Sequence, residues 1–261
     1  MLARHHAAFG VLTSTVVVVA THTHPSVAVP AGVSIAVGSL LPDLDEPDSR
    51  VARTFPLLSS RVSSLVKLVA PKHRGGESHS LGTAVIVGTV LGLASLSEVG
   101  RMIVGAIFGV LLLRAVLPRT LRRVIETIAY VPAFLIGALG GVLGALLFRH
   151  GTALAIGVGT ALGIIVHVLT DLPTNSGVAL LWPASRHRFA PRWFSTGSTT
   201  ETIVGSVAWV LAIVIAIHAM SNAHFGTTPL ASSLHVVASK LGTEVQRVAD
   251  AVLRTPTIRT S

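Results

Sequence analysis

The chain has no cysteine. Disulfide scaffolds, thiolate zinc sites and cysteine nucleophiles are therefore excluded, and any metal it holds must use nitrogen and oxygen ligands. Charge is scarce too. Asp, Glu, Lys and Arg make up 12% of the 261 residues, against 51% hydrophobic residues and a mean hydropathy of +0.72. So few charges could not cover a water-facing surface, which argues against a soluble protein. Internal repeats and low-complexity tracts are also lacking, which leaves a repeat architecture without support.

What the chain does have is long apolar runs. Residues 81–96, 103–117, 128–148, 151–172 and 202–220 mostly approach the roughly 20 apolar residues that cross about 30 Å of hydrocarbon. Residues 7–20 and 27–41 are shorter and fit tilted or re-entrant segments. Glycines inside these runs, Gly137, Gly140, Gly141 and Gly144 among them, suit close helix packing in lipid. The expected fold is all-α: a polytopic transmembrane helical bundle of about 6–7 spans, with residues 1–222 as the membrane-embedded domain and 223–261 as a separate tail. In that tail Leu230, Leu234, Val237, Leu241, Val245, Val248 and Val252 recur at the period of an amphipathic helix.

The formal charge of +9 and pI near 11.5 could suggest nucleic acid, but the basic residues are distributed otherwise. With seven crossings, Arg4, Arg50, Arg53, Arg61, Lys67, Lys72, Arg74, Arg119, Arg122, Arg123, Arg186, Arg188 and Arg192 fall on one side. Short loops on the other side hold only Arg101 and Arg149. This is the positive-inside pattern, which makes the basic side cytoplasmic in a multi-pass membrane protein. Topology accounts for the charge, and no nucleic-acid partner is expected. Arg4 before an apolar run also resembles a signal peptide. His22, His24 and Pro25 stand where a compact small-residue cleavage site would be needed, so the run reads as a retained first span.

Ionisable groups at membrane depth are costly and are functional suspects by default. His167 and Asp171 lie four apart in an otherwise apolar helix and project from one face. Their bland alternative is an aspartate that merely locks an imidazole. A second group is Gly38-Ser39-Leu40-Leu41-Pro42-Asp43-Leu44-Asp45-Glu46-Pro47-Asp48. Its prolines discourage helix, so Asp43 and Asp45 should leave the span in an extended turn and point at one ion or straddle two. The alternative there is a solvated acidic loop. The third group is Lys72-His73-Arg74-Gly75-Gly76-Glu77-Ser78-His79-Ser80, with Ser78 or Ser80 capping the helix that follows. By parity of crossings His5/His6, Asp43/Asp45, His73/His79 and His167/Asp171 share the basic side. His22, His24, His150, His218, His224 and His235 fall on the other side or beyond, as bystanders.

Three segments occur in order: Gly38 to Asp45, His73 to Ser80, and His167-Val168-Leu169-Thr170-Asp171. Gly177-Val178-Ala179-Leu180-Leu181-Trp182-Pro183 and Arg188-Phe189 follow. Together these resemble the YdjM-like family of inner-membrane proteins classed as metal-dependent hydrolases. His6-Ala7-Ala8-Phe9-Gly10 is similar to that family's N-terminal histidine motif and favours His6 over His5, while Glu201 matches a late acidic position. Departures are Ser78 and Glu77, where the family has threonine and a bulky apolar residue, and the segment Pro173-Thr174-Asn175-Ser176-Gly177. They bear on substrate preference and leave the ligand set intact.

The expectation is a metal-dependent hydrolase with its site at the cytoplasmic membrane interface. His6, Asp43, Asp45, His73, His79, His167 and Asp171 would hold one or two divalent ions, zinc by donor set or manganese. Asp43 or Glu77 would serve as general base, and Arg74 or Arg186 would orient an anionic group. The substrate would be a membrane lipid or a membrane-associated molecule, cut at an ester or phosphoester. Two alternatives stay open: a metal or proton transporter, and a non-catalytic membrane protein with a structural metal.

Overall fold

The computed structural model describes residues 1–21, 24–46, 49, 51–52, 76–116, 130–147, 152–221 and 247. Among them are seven α-helices and no strand. The helices are α1 (Ala3–Thr21), α2 (Pro25–Gly38), α3 (Leu81–Ala94), α4 (Glu98–Val116), α5 (Tyr130–Leu147), α6 (Thr152–Asp171) and α7 (Thr199–Ser221). A short 3-10 turn, Leu41–Asp45, follows α2. The all-α expectation holds. The tail from 223 on, apart from Arg247, lies outside the described residues, as do His73, Arg74 and the basic residues Arg119, Arg122 and Arg123.

Helix α6 is the central strut. One face of it buries Ala155, Ile156, Gly159, Thr160, Gly163, Ile164, His167, Val168 and Asp171, a three-and-four spacing that runs unbroken into the polar pair at its end. Helices α2 and α3 pack along α6, α1 joins α2, α6 and α7, and α4 pairs with α5. The α2–α6 contact is made by glycine. A Cβ on Gly38 would lie 2.6 Å from the Thr160 carbonyl oxygen, and one on Gly163 would lie 2.8 Å from Gly38 Cα. In lipid, van der Waals contact of this kind, more than the hydrophobic effect, holds helices together. It also sets the end of α2, and the turn after it, against the last turns of α6.

The outward faces are apolar: Leu139 is 69% exposed, Ile136 65% and Val85 64%. By length and composition Thr152–Asp171 and Thr199–Ala219 are long and apolar enough to cross a membrane. Ser26–Gly38, Leu81–Ala94 and Phe134–Leu147 are shorter apolar helices. At 1.5 Å per residue the 14 residues of α3 reach about 21 Å, less than a hydrocarbon core. Helix α4 carries Glu98, Arg101 and Arg114 within its 19 residues, which interrupts its apolar character.

Local chemistry explains where the site-bearing segments begin and end. Ser80 is the N-cap of α3; its Oγ accepts the Thr83 N–H at 3.1 Å, satisfying one of the orphan donors of the first turn. Asp43 and Asp45 do not lie in an extended turn as expected. They sit in a single 3-10 turn, because Pro42 occupies its first positions, where a missing N–H costs nothing. Between α6 and α7 the chain runs without regular structure but is pinned down. The Val178 N–H donates to the Phe189 carbonyl at 3.0 Å, the Phe189 N–H returns to Val178 at 2.9 Å, and the Trp193 N–H reaches the Pro173 carbonyl at 2.9 Å. The Leu81 N–H donates to the Leu180 carbonyl at 3.0 Å, tying this loop to the start of α3 beside the site.

Candidate metal centre

Four separate stretches of chain meet at the end of α6. The first turn of α1 brings His6, the 3-10 turn brings Asp43 and Asp45, the residue before the α3 cap brings His79, and the last turn of α6 brings His167 and Asp171. All six are buried. The ligand atoms of His6, Asp43 and His167 lie within 4.8 Å of one another, as do those of His79, His167 and Asp171. His167 belongs to both groups and is the hinge of the arrangement.

Hydrogen bonds set the tautomer of each imidazole. His167 Nδ1 lies 2.7 Å from the Ser39 carbonyl oxygen, which can only accept, so Nδ1 carries the proton and Nε2 keeps its lone pair. His6 Nδ1 lies 2.9 Å from Thr170 Oγ1, whose own proton goes to the His167 carbonyl at 2.8 Å. His6 Nδ1 must therefore be the donor, and its lone pair also sits on Nε2. His79 Nδ1 lies 2.9 Å from Ser78 Oγ, whose proton is spent on Asp45 Oδ2 at 2.5 Å, so His79 follows the same rule. Outer partners that fix the tautomer of a metal-binding histidine in this way are the usual companions of such ligands.

The three Nε2 atoms face carboxylates, and those of His79 and His167 also face one another. His167 Nε2 stands 3.7 Å from both Asp43 Oδ1 and Asp171 Oδ2, and 3.2 Å from His79 Nε2. His6 Nε2 is 3.4 Å from Asp171 Oδ1, and it has no hydrogen-bond partner among the described residues. The His6 and His167 rings stack at 3.6 Å. Two nitrogen lone pairs 3.2 Å apart repel unless a proton or a cation lies between them. Two imidazole ligands of one tetrahedral ion stand about 3.3 Å apart, so the donor set fits a cation. Met1 N lies against Asp171 Oδ1. Burial pushes the Asp43 carboxyl up from its ordinary value, and the neighbouring Asp171 carboxylate acts in the same direction.

Other expected residues stand apart. Glu77 is outside both groups, its Oε1 4.0 Å from Nη2 of the exposed Arg186. Asp45 touches the centre through His79, whose Nδ1 is 3.4 Å from its Oδ2, so it supports a ligand more directly than it offers one. His73 and Arg74 lie outside the described residues. Sequence reasoning passed over Ser39 and Thr170, which act through a backbone carbonyl and a hydroxyl and leave no sign in charge or hydropathy. It also set His5 aside, although His5 is buried against Glu201. His24, expected as a bystander, is exposed at the N-cap of α2.

Residues 1–239 match the YdjM inner membrane protein family. The chain belongs to that family. The match takes in every residue of the centre and all seven helices. No curated protein and no solved structure matches the chain. An inner membrane protein whose buried His and Asp residues could hold a metal ion is what the fold, the centre and the family together establish.

Proposed function

We propose that the chain is a multi-pass, metal-dependent hydrolase of the inner membrane, with its centre at the cytoplasmic end of α6. The observation that carries this reading is the convergence of three Nε2 lone pairs, each with its Nδ1 proton committed elsewhere, on the carboxylates of Asp43 and Asp171. A purely structural cluster has no need of three histidines in one ligand-ready tautomer.

His6, His79, His167 and Asp171 would hold the cation, with Asp43 as a further ligand, and zinc or manganese suits this nitrogen and oxygen set. When bound, the cation acidifies water and stabilises developing oxyanion charge. Asp43, buried beside the histidines, is the best-placed proton acceptor where its carboxylate is not committed to the ion. Glu77, paired with Arg186 at the edge, would serve substrate orientation. The loop from 173 to 198 has no acidic residue and exposes Arg186, Arg188, Arg192 and Trp193, which suits an anionic, membrane-borne substrate such as a lipid ester or phosphoester. The seven-crossing count that puts this loop in the cytoplasm rests on the apolar runs and the basic residues of the sequence.

The test is metal analysis of detergent-purified protein beside turnover of lipid ester and phosphoester probes. Wild type should carry metal and hydrolyse one probe class, and His79→Ala and Asp171→Ala should lose both. Equal metal content in all three proteins defeats the reading.

A second reading, translocation of a metal ion or proton, draws on Ser34 Oγ, Thr152 Oγ1 and Thr160 Oγ1. These are buried in α2 and α6 with no hydrogen-bond partner among the described residues. It predicts metal flux into proteoliposomes without turnover.

A further inference from the structure

His5 and His6 are neighbours on α1, yet about 100° of helix separates their side chains, and only His6 reaches the centre. His5 turns towards α7. There its ring fills a slot left by Gly205, where any Cβ would collide with His5 Cδ2. Its Nδ1 lies 2.5 Å from Glu201 Oε1. Its Nε2 accepts the Arg4 Nε–H at 3.0 Å, which makes Nδ1 the donor. The same Glu201 oxygen takes the Leu2 N–H at 2.5 Å, and Oε2 takes the Gly197 N–H at 2.7 Å. His5 is 3% exposed and Glu201 not at all.

The arrangement is more specific than two helices need in order to stick together. Three donors from two separate segments, the start of α1 and the turn before α7, close on one carboxylate. Two of them, from Leu2 and His5, belong to the turn that carries His6. At about 6 Å from the helix axis, a rotation of that turn by about 20° would carry His6 Nε2 about 2 Å, enough to take it from the centre. We infer that His5 and Glu201 are positioning residues that fix the rotation of the first turn of α1 and thereby aim His6 into the centre. The inference rests on the metal reading above.

Purified full-length protein in detergent is titrated with Co2+ alone, following affinity and the visible d–d absorption, whose shape reports the ligand set. His5→Ala should bind Co2+ roughly 10–100-fold more weakly than wild type, the range found when outer partners of metal ligands are removed. It should also show an altered d–d band. Gly205→Ala, which leaves every polar group in place but pushes the ring from its slot, should do the same. His5→Asn, whose side-chain N–H falls near the Nδ1 position, should recover most of the affinity and the wild-type band. A purely structural contact would lower thermal stability in His5→Ala and leave the band unchanged. That result overturns the inference, as does a His5→Asn protein no better than His5→Ala. Failure of wild type itself to bind Co2+ overturns the metal reading instead.

Discussion

Nε2 of His79 and Nε2 of His167 face each other across 3.2 Å, from segments 88 residues apart. Both carry their proton on the far nitrogen, so the two lone pairs confront one another, and the contact is tolerable only with a positive species between them. The centre is thus poised for a cation by the protein's own hydrogen bonds, and removing those bonds is the most direct way to examine it.

Thr170 joins two ligands through one hydroxyl: it accepts from His6 Nδ1 and donates to the His167 carbonyl. Thr170→Val keeps shape and volume but leaves the His6 N–H without its acceptor. Metal affinity, measured by chelator competition, should fall roughly 10–100-fold, and Thr170→Ser should restore it.

Asp43 gives a prediction whose sign depends on the metal. Its pKa is raised above the ordinary value of 3.8, so folding penalises its charged form. In metal-free protein that penalty is absent below 3.8, grows as pH rises towards the raised value, and is complete above it. Asp43→Asn removes the buried charge. At neutral pH it should raise the melting temperature of metal-free protein and lower that of metal-loaded protein, as paired thermal scans with and without chelator would show. A shift of the same sign in both states would exclude Asp43 as a ligand.

Gly38 sits where α2 touches α6. In Gly38→Ala the new methyl meets backbone, 2.6 Å from the Thr160 oxygen and 3.2 Å from Gly163 Cα, and no flexible side-chain tip is there to move aside. Overpacking of this kind costs about 1–3 kcal/mol, and because Ser39 follows directly, the displaced turn would also move the carbonyl that orients His167. Lower thermal stability together with weaker metal binding is the expected result.

The absence of native cysteine makes topology easy to test. Ser195→Cys places a single thiol on an exposed position of the loop between α6 and α7. A membrane-impermeant maleimide should label it in inverted inner-membrane vesicles and not in intact spheroplasts. The opposite pattern would put the centre on the outer side.

Much of the centre was legible because it is local. His167 and Asp171 share a face by helical period, and Ser80 starts a helix because its hydroxyl can reach the N–H three residues on. Such features depend on a few neighbouring residues and a fixed geometry. The spans were less legible: apolar runs predict about 6–7 crossings, whereas among the described residues only α6 and α7 clearly combine the length and the hydropathy; α3, for instance, is short and α4 is interrupted by charge.

From composition and spacing alone came the all-α class, the donor chemistry and the four stretches that supply it. Tertiary structure decided the rest: that His5 and His6 serve different helices, that Ser78 bridges Asp45 and His79 and leaves the cap to Ser80, and that Glu77 stands aside. The physical reason is reach. Helical period and capping act over about four residues, whereas the facing of His79 on His167 depends on how closely glycine-lined helices approach, a property of the packed whole that no single stretch of chain contains.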